Sequence, residues 1–526
     1  MVKRAPAAST LCSVARLMAT SSAKLKLPAG PSRHVYDVIV LGSQLGGALA
    51  AALLAKRNHR VLLVEHDGMG PGYEHGGYVL PYAPFVAPPL KAMPAVEEAL
   101  TELGLNANVQ RALRPHAPEL QLLMPRSRLD LHGDAARRKA EVTRELGEEG
   151  ESLLGALAGA AAQHEASDAF FKAGPALPPD GFFEGWGLKK LIRAHPGLAT
   201  PPRLTGDSAS VSLVRGLRPF VTHLDRPEAP LALTRAMSQV LSAPSYFPGG
   251  HEGLRELLAR RVAELGGDVL GRDNPTGFIV EELAFDGSKF AGMKLMRSDT
   301  MYRASCLVAA TDAGALRRLV TDKKHHRGLL EHLDQSNTKA LLFTVNWVVP
   351  ESALPRGLGE LALLDTGDAE LGPVLIQVHP ARAAPAHGGK EAKATEGLRV
   401  VCAGAFVPAS ARDLGEEHLQ GLATRIDEHL DALMPFTAQH RVLRSAPYLD
   451  AGGVRGSRLM PHPLFSFESE AVLGVTGLTQ RTPAKNILLA NREVLPGLGL
   501  EGELLAGIRA ARLVQDMLKK KDPLKG

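Results

Sequence analysis

Six residues, Gly42-Ser-Gln44-Leu-Gly46-Gly47, lie between a β-branched apolar run at 35–41 and an Ala/Leu-rich stretch at 48–57. Glycines spaced this way serve phosphate chemistry. Gly42 makes the tight turn, and Gly47 lets the following helix pack closely on the strand. The helix start then offers bare N–H groups and a partial positive charge to an anion. At the second position a glycine would let the backbone approach a pyrophosphate. Here it is Gln44, whose side chain either crowds that place or contacts the phosphate itself. Glu65 follows Gly42 by 23 residues, at the end of a second apolar run, 60–64. A carboxylate there accepts from ribose hydroxyls and repels a 2′-phosphate. Turn, helix, strand and acid together form a βαβ unit with a dinucleotide fingerprint; a plain αβ unit that keeps its packing glycines is the other reading.

The elements that must position these residues are legible in part. Residues 35–41 and 60–64 read as buried parallel strands. Residues 71–89 read as loop, 94–104 and 134–165 as helical, and 172–206 as irregular. A helix at 230–241 precedes Tyr246-Phe-Pro-Gly249-Gly250. In 251–265, Leu254, Leu257, Leu258, Val262 and Leu265 recur at helical spacing. A meander follows through 277–285 and 289–298, then a strand at 305–311. Further strands are expected at 340–350 and 397–406, an exposed loop at 382–396 and a helix at 415–433. A short strand, 486–490, and a last helix, 504–517, end the pattern.

The chain has 526 residues, more than one core ordinarily serves. Hydrophobic content of 45% and charged content of 22% argue for a folded protein. The net charge of +5 is concentrated in residues 1–34, where six bases stand without an acid. The remaining body is near neutral, and nothing in it suggests a basic nucleic-acid face. That N-terminal segment reads as a disordered basic extension, with Met18 as an alternative start; an organelle transit peptide is the other reading. Cys12, Cys306 and Cys402 are too dispersed for a disulfide framework or a zinc site, and Cys306 is expected in the core. No HExxH or GxSxG occurs, and no metal site or nucleophile emerges. A cytoplasmic protein is expected, peripheral to a membrane, or organellar if the leader is real. In Gly181-Phe-Phe-Glu-Gly-Trp186-Gly-Leu-Lys189-Lys190, aromatics beside lysines suit a membrane interface, or else a buried helix with solvated lysines.

Four segments, in order, resemble the phytoene desaturase-like FAD oxidoreductases: carotenoid desaturases and isomerases, and the retinol saturase group. They are DVIVLGSQLGGALAAALLAKRNHRVLLVEHD; Tyr246-Phe-Pro-Gly-Gly-His-Glu-Gly-Leu; the meander ending SCLVAATDAGAL; and Thr482-Pro-Ala-Lys-Asn-Ile-Leu-Leu-Ala, continuing through Pro496-Gly497-Leu-Gly499-Leu-Glu501-Gly502 to Gly507. The likeness spans about residues 35–515. It implies FAD as cofactor. Gly42, Gln44, Gly46, Gly47 and Glu65 would lie at the adenosine and pyrophosphate site, and Val280 by the adenine. Gly497, Gly499 and Gly502 would approach the flavin and its ribityl chain, with His251 near the ring. The chain departs from the family at Gly70-Pro-Gly72-Tyr73, where Gly-Gly-Arg is usual, and at Ala490-Asn491-Arg492.

The resemblance implies an α/β fold: a Rossmann-type FAD-binding domain assembled from 35–90, 245–325 and 475–518, beside a mixed α+β substrate domain from 91–244 and 326–474. The implied activity is hydride transfer between flavin and an apolar, isoprenoid or lipid-like substrate, in desaturation, saturation or isomerisation. The catalytic residues are not legible, nor is the oligomeric state. Two rivals stay open. One is a catalytically silent relative that binds or escorts a lipid or prenylated protein. The other is an amine oxidase.

Overall fold

A computed structural model describes residues 34–42, 44–66, 70–198, 209–225, 230–271, 280–296, 300–385, 393–451, 460–469 and 471–519. The N-terminal extension, save its last residue, and Cys12 lie outside the described residues. The chain divides into Met1–Val35 and a large unit, Tyr36–Gly526.

Three distant stretches of sequence build the sheet that carries the Gly42 turn. Its strands are β1 (Val35–Leu41), β2 (Val61–Val64), β3 (Asp268–Leu270), β4 (Val280–Asp286), β5 (Lys289–Leu295), β6 (Met301–Ala309) and β7 (Ile487–Leu489). Their order is β4-β5-β6-β1-β2-β3, with β7 also pairing β6. β1 and β2 run parallel, Val38 opposite Val61, and β3 joins β2 parallel, Leu62 opposite Asp268. β7 joins β6 parallel, Leu307 opposite Ile487. The carboxyl ends of these strands share one edge, where open α/β sheets bind ligands. β4 and β5 form the expected antiparallel hairpin.

Six helices bear on the site: α1 (Leu45–Lys56), α2 (Gly150–Lys172), α3 (Gly181–Ala194), α4 (Pro230–Leu241), α5 (Gly250–Glu264) and α6 (Gly499–Leu518). In α1 every residue from Leu45 to Ala55 is buried. Its small Ala and Gly side chains let α5 and α6 close on it from both sides. A Cβ on Gly507 of α6 would lie 2.1 Å from the Gly46 carbonyl oxygen, so the two helices meet backbone to backbone.

A second, eight-stranded sheet runs in the order 443–445, 336–350, 398–408, 374–380, 361–364, 120–124, 127–131, with 463–467 also pairing 336–350. Only the 361–364 and 120–124 pair is parallel. Trp347 is wholly buried in it, its Nε1 donating to Asp427 at 2.7 Å. Cys306 and Cys402 are buried free thiols, and burial pushes Cys306 up to about 12.

Two expectations are corrected. Residues 71–89 include a short hairpin, Tyr73–His75 with Tyr78–Leu80. The segment expected to be irregular at 172–206 contains α3, whose Gly181, Gly185 and Gly187 weaken the helical signal. Phe182, Phe183 and Trp186 of α3 are 80, 85 and 62% exposed, so these aromatics are not core.

A buried ion cluster ties α6 to its neighbours. The Arg235 guanidinium donates to both oxygens of Glu501 at 2.6 Å, pairs with Asp168 at 3.0 Å and lies over the Phe171 ring. Gln239 donates to the same carboxylate at 2.8 Å. Removing one partner strands a desolvated charge. Glu501→Ala should therefore cost about 3–5 kcal/mol in urea unfolding. A loss under about 1 kcal/mol, the range of exposed pairs, would refute that account.

Candidate functional site at the carboxyl edge of the first sheet

The β1–α1 turn is clamped between strands. Gly42 adopts φ +112° and its N–H donates to the Val64 carbonyl at 2.9 Å; Ala310 N–H returns a bond to Leu41 at 2.7 Å. A Cβ on Gly42 would lie 2.2 Å from the Ala310 carbonyl oxygen, and one on Gly47 2.1 Å from the Ala310 side chain. The sterics that call for glycine here come from the residues after β6.

Gln44 is buried and engaged at both ends of its amide. Its Nε2 donates to Asp312 at 2.7 Å, and its Oε1 accepts from the Arg492 backbone N–H at 2.9 Å. Arg492 in turn reaches Asp312 at 3.0 Å. Gln44 thus joins the two loops that follow β6 and β7.

The start of α1 already holds an anion. Leu45 N–H donates to Glu503 Oε1 at 2.6 Å. Glu503 lies in α6 and is 1% exposed. Its other oxygen meets His251 Nε2 of α5 at 3.1 Å. Burial would lower the His251 imidazole, but Glu503 and Glu252 outweigh it and raise it to about 9. Burial raises Glu503, and His251 with Arg492 outweigh that, so it ends below the usual carboxylate range. At neutral pH the two form an ion pair at the helix start.

Beside this pair a cavity of about 100 Å³ opens, walled by Phe85, Val86, Phe220, Val221, Val240 and Leu500. His223 and His462 stand at its polar side with ring centres 4.2 Å apart. His223 Nδ1 donates to the Pro463 carbonyl, and His462 Nε2 to that of Thr222. Burial holds His462 at about 4 and His223 well below its ordinary value, so both rings are neutral at pH 7.

The other residues expected at the site are placed as follows. Glu65 pairs with the buried Arg255 of α5, which also holds Glu252 at 2.7 Å. Val280 N–H donates to His66 Nδ1 at 3.1 Å, which brings it beside the end of β2. Cβ atoms on Gly497, Gly499 and Gly502 would meet the backbone of Val475, Val221 and Leu495 at 2.6, 2.0 and 2.1 Å. His251 does line the cavity. Sequence reasoning missed Glu503, His223 and His462 and marked Arg492 only as a departure from the family pattern; the four converge from distant parts of the chain. One signal was readable: two carboxylates flank Gly502 in the first turns of a helix whose next polar residue is Arg509.

A family model for NAD(P)-binding Rossmann-like domains matches residues 40–103. No curated protein sequence matches the chain. Among solved structures, cyclohexylamine oxidase from Brevibacterium oxydans superposes with TM-score 0.53 at 15% identity, over 92% of this chain and 99% of that one. An oxidoreductase from Methanosarcina mazei gives 0.52 at 14%, over 90% and 99%. Putrescine oxidase bound to putrescine gives 0.51 at 16%, over 92% and 99%. The chain shares the fold of these oxidoreductases, built on a Rossmann-like α/β core.

In this arrangement the groups that would hold a dinucleotide are engaged by the protein's own side chains. The leading N–H of α1 is taken by Glu503, Glu65 is taken by Arg255, and the place where a glycine would admit the pyrophosphate is filled by the Gln44 bridge. A Cβ on Gly46 would lie 2.5 Å from the carbonyl oxygens of both Ala490 and Glu503, so that face of the turn is closed too. The cavity is smaller than the roughly 150 Å³ of an engineered void that accepts benzene.

The ion pair makes stability depend on pH. Folding raises His251 from the ordinary 6.5 to about 9. Its contribution is therefore complete below about 6.5 and is lost as pH rises through about 9. Tm should fall across that window, and His251→Gln should flatten the fall. A slope that survives the substitution would assign it to other groups.

Proposed function

We propose that the chain is an FAD-dependent oxidoreductase of the phytoene desaturase-like kind, acting on an apolar, isoprenoid- or lipid-like substrate. The carrying observation is the apolar lining of the cavity at the carboxyl edge, which at about 100 Å³ would seat only one end of such a substrate. The cavity walls are aliphatic and aromatic, and its charged groups are already paired, His251 with Glu503 and Arg492 with Asp312. Such a lining favours an uncharged, apolar ligand over a polar one. Two neutral histidines give it a hydrogen-bonding end without a net charge. A bound flavin would supply the redox chemistry; the protein supplies the apolar wall, the orientation and the exclusion of water.

A surface feature apart from the cavity, the exposed face of α3, suits contact with a membrane that would hold an apolar substrate. Phe182, Phe183 and Trp186 stand clear of the surface, with Lys189 and Lys190 on the same short helix. Aromatics beside lysines bind the boundary of an anionic bilayer. The triple substitution F182S, F183S, W186S should abolish co-sedimentation with phosphatidylserine-containing vesicles. Undiminished binding by that variant would exclude α3 as the contact.

A second reading rests on Glu503: a catalytically silent relative that keeps the apolar cavity and binds a lipid-like ligand without a cofactor. An absorbance spectrum from 300 to 550 nm, before and after adding FAD, separates the two. Flavin bands near one equivalent support the oxidoreductase. A colourless protein that takes up no FAD overturns it in favour of the silent binder.

A further inference from the structure

We infer that Glu503 is the protein's own occupant of the pyrophosphate position, and that it sets how tightly an anionic dinucleotide can bind. The inference rests on the flavin reading above. Phosphates bind at the N-terminus of the first Rossmann helix because its leading N–H groups are unpaired. In this chain the leading N–H of α1, Leu45, donates to Glu503. The carboxylate is delivered by a second helix, α6, whose backbone is already in contact with α1 at Gly46 and Gly507. Glu503 therefore arrives by packing, and no loop has to fold over to bring it.

Three features mark this as more than a helix cap. The Glu503 carboxylate is wholly buried, which is expensive for a group whose only task is to cap a helix. It carries its own countercharge, since His251 holds the second oxygen. It also lines the apolar cavity, as do His251 and Arg492, so the ion pair sits at the boundary between the helix start and the space beyond. A phosphate arriving there meets a negative charge on the N–H it needs. Once Glu503 is removed, it would find that N–H without an anion and the His251 imidazolium held by Glu252 alone. The carboxylate and a cofactor phosphate are competitors for one place, and the phosphate must displace the carboxylate or bind without the Leu45 N–H.

Gln44 supports the same arrangement. Its amide spans Asp312 and the Arg492 backbone, fixing both loops beside Glu503. A glycine at 44 would leave the turn open, whereas this side chain holds it shut.

The test is a fluorescence titration of full-length wild type, Glu503→Ala and Glu503→Gln with FAD, and in parallel with riboflavin, which lacks phosphates. Circular dichroism melts establish that each variant is folded; Glu503→Gln keeps the side-chain volume should the alanine variant unfold. The expected result is FAD affinity at least tenfold tighter in a folded variant than in wild type, with riboflavin affinity unchanged. Wild type and variants binding FAD equally would overturn the role of Glu503 while leaving the flavin reading intact. Equal tightening for riboflavin would also overturn it, because the gain would then come from space and not from the anion position. No FAD uptake by any folded protein would overturn the flavin reading, and this inference with it.

Discussion

The backbones of α1 and α6 touch at Gly46 and Gly507, with no side chain between them. Much else at the site follows from that contact. It requires glycine on both helices and small residues along α1. It carries the first turn of α6 up to the β1–α1 turn, so the side chain at 503 has nowhere to project except toward the start of α1. A carboxylate at that position meets an N–H and a partial positive charge, and the ion pair with His251 completes itself from α5. The site's electrostatics are thus a by-product of how closely two helices pack.

Glu501, two residues earlier, faces another way. It is clasped by Arg235 and Gln239 of α4, and through Arg235 it is linked to Asp168 of α2. The opening turns of α6 are pinned on one side to the helices beside the cavity and on the other to the starts of α1 and α5. The cavity and the dinucleotide turn therefore share one rigid element, and a change at either is felt through the same few residues.

The first sheet was largely legible. The run at 35–41 and the helix at 230–241 fall where the pattern puts them, because a β-branched run and a Leu/Ala period are local signals. The last helix begins at Gly499, a turn before expected, since the glycines that mask its start in sequence are those the close packing needs. The strands at 120–131, 361–364, 374–380 and 463–467 were not read: they are short, and tertiary pairing stabilises them more than composition does. The dinucleotide turn was found from its glycines. What fills it was not, because Gln44, Asp312, Arg492 and Glu503 meet only after the chain has folded across hundreds of residues. Glycine spacing records where backbones approach closely; it does not record whether the neighbour is a cofactor or the protein itself.

The chain contains two tryptophans, and the fold puts them in opposite surroundings. Trp347 is sealed in the second sheet with Asp427 on its indole nitrogen and the Arg441 guanidinium 3.6 Å above its ring. Trp186 stands 62% exposed on α3. The intrinsic emission is therefore a sum of two separable colours. A blue component reports on the interior of one sheet, and a red component, open to aqueous quenchers, reports on whatever covers one helix face. The molecule carries its own pair of optical labels, one for folding and one for contact.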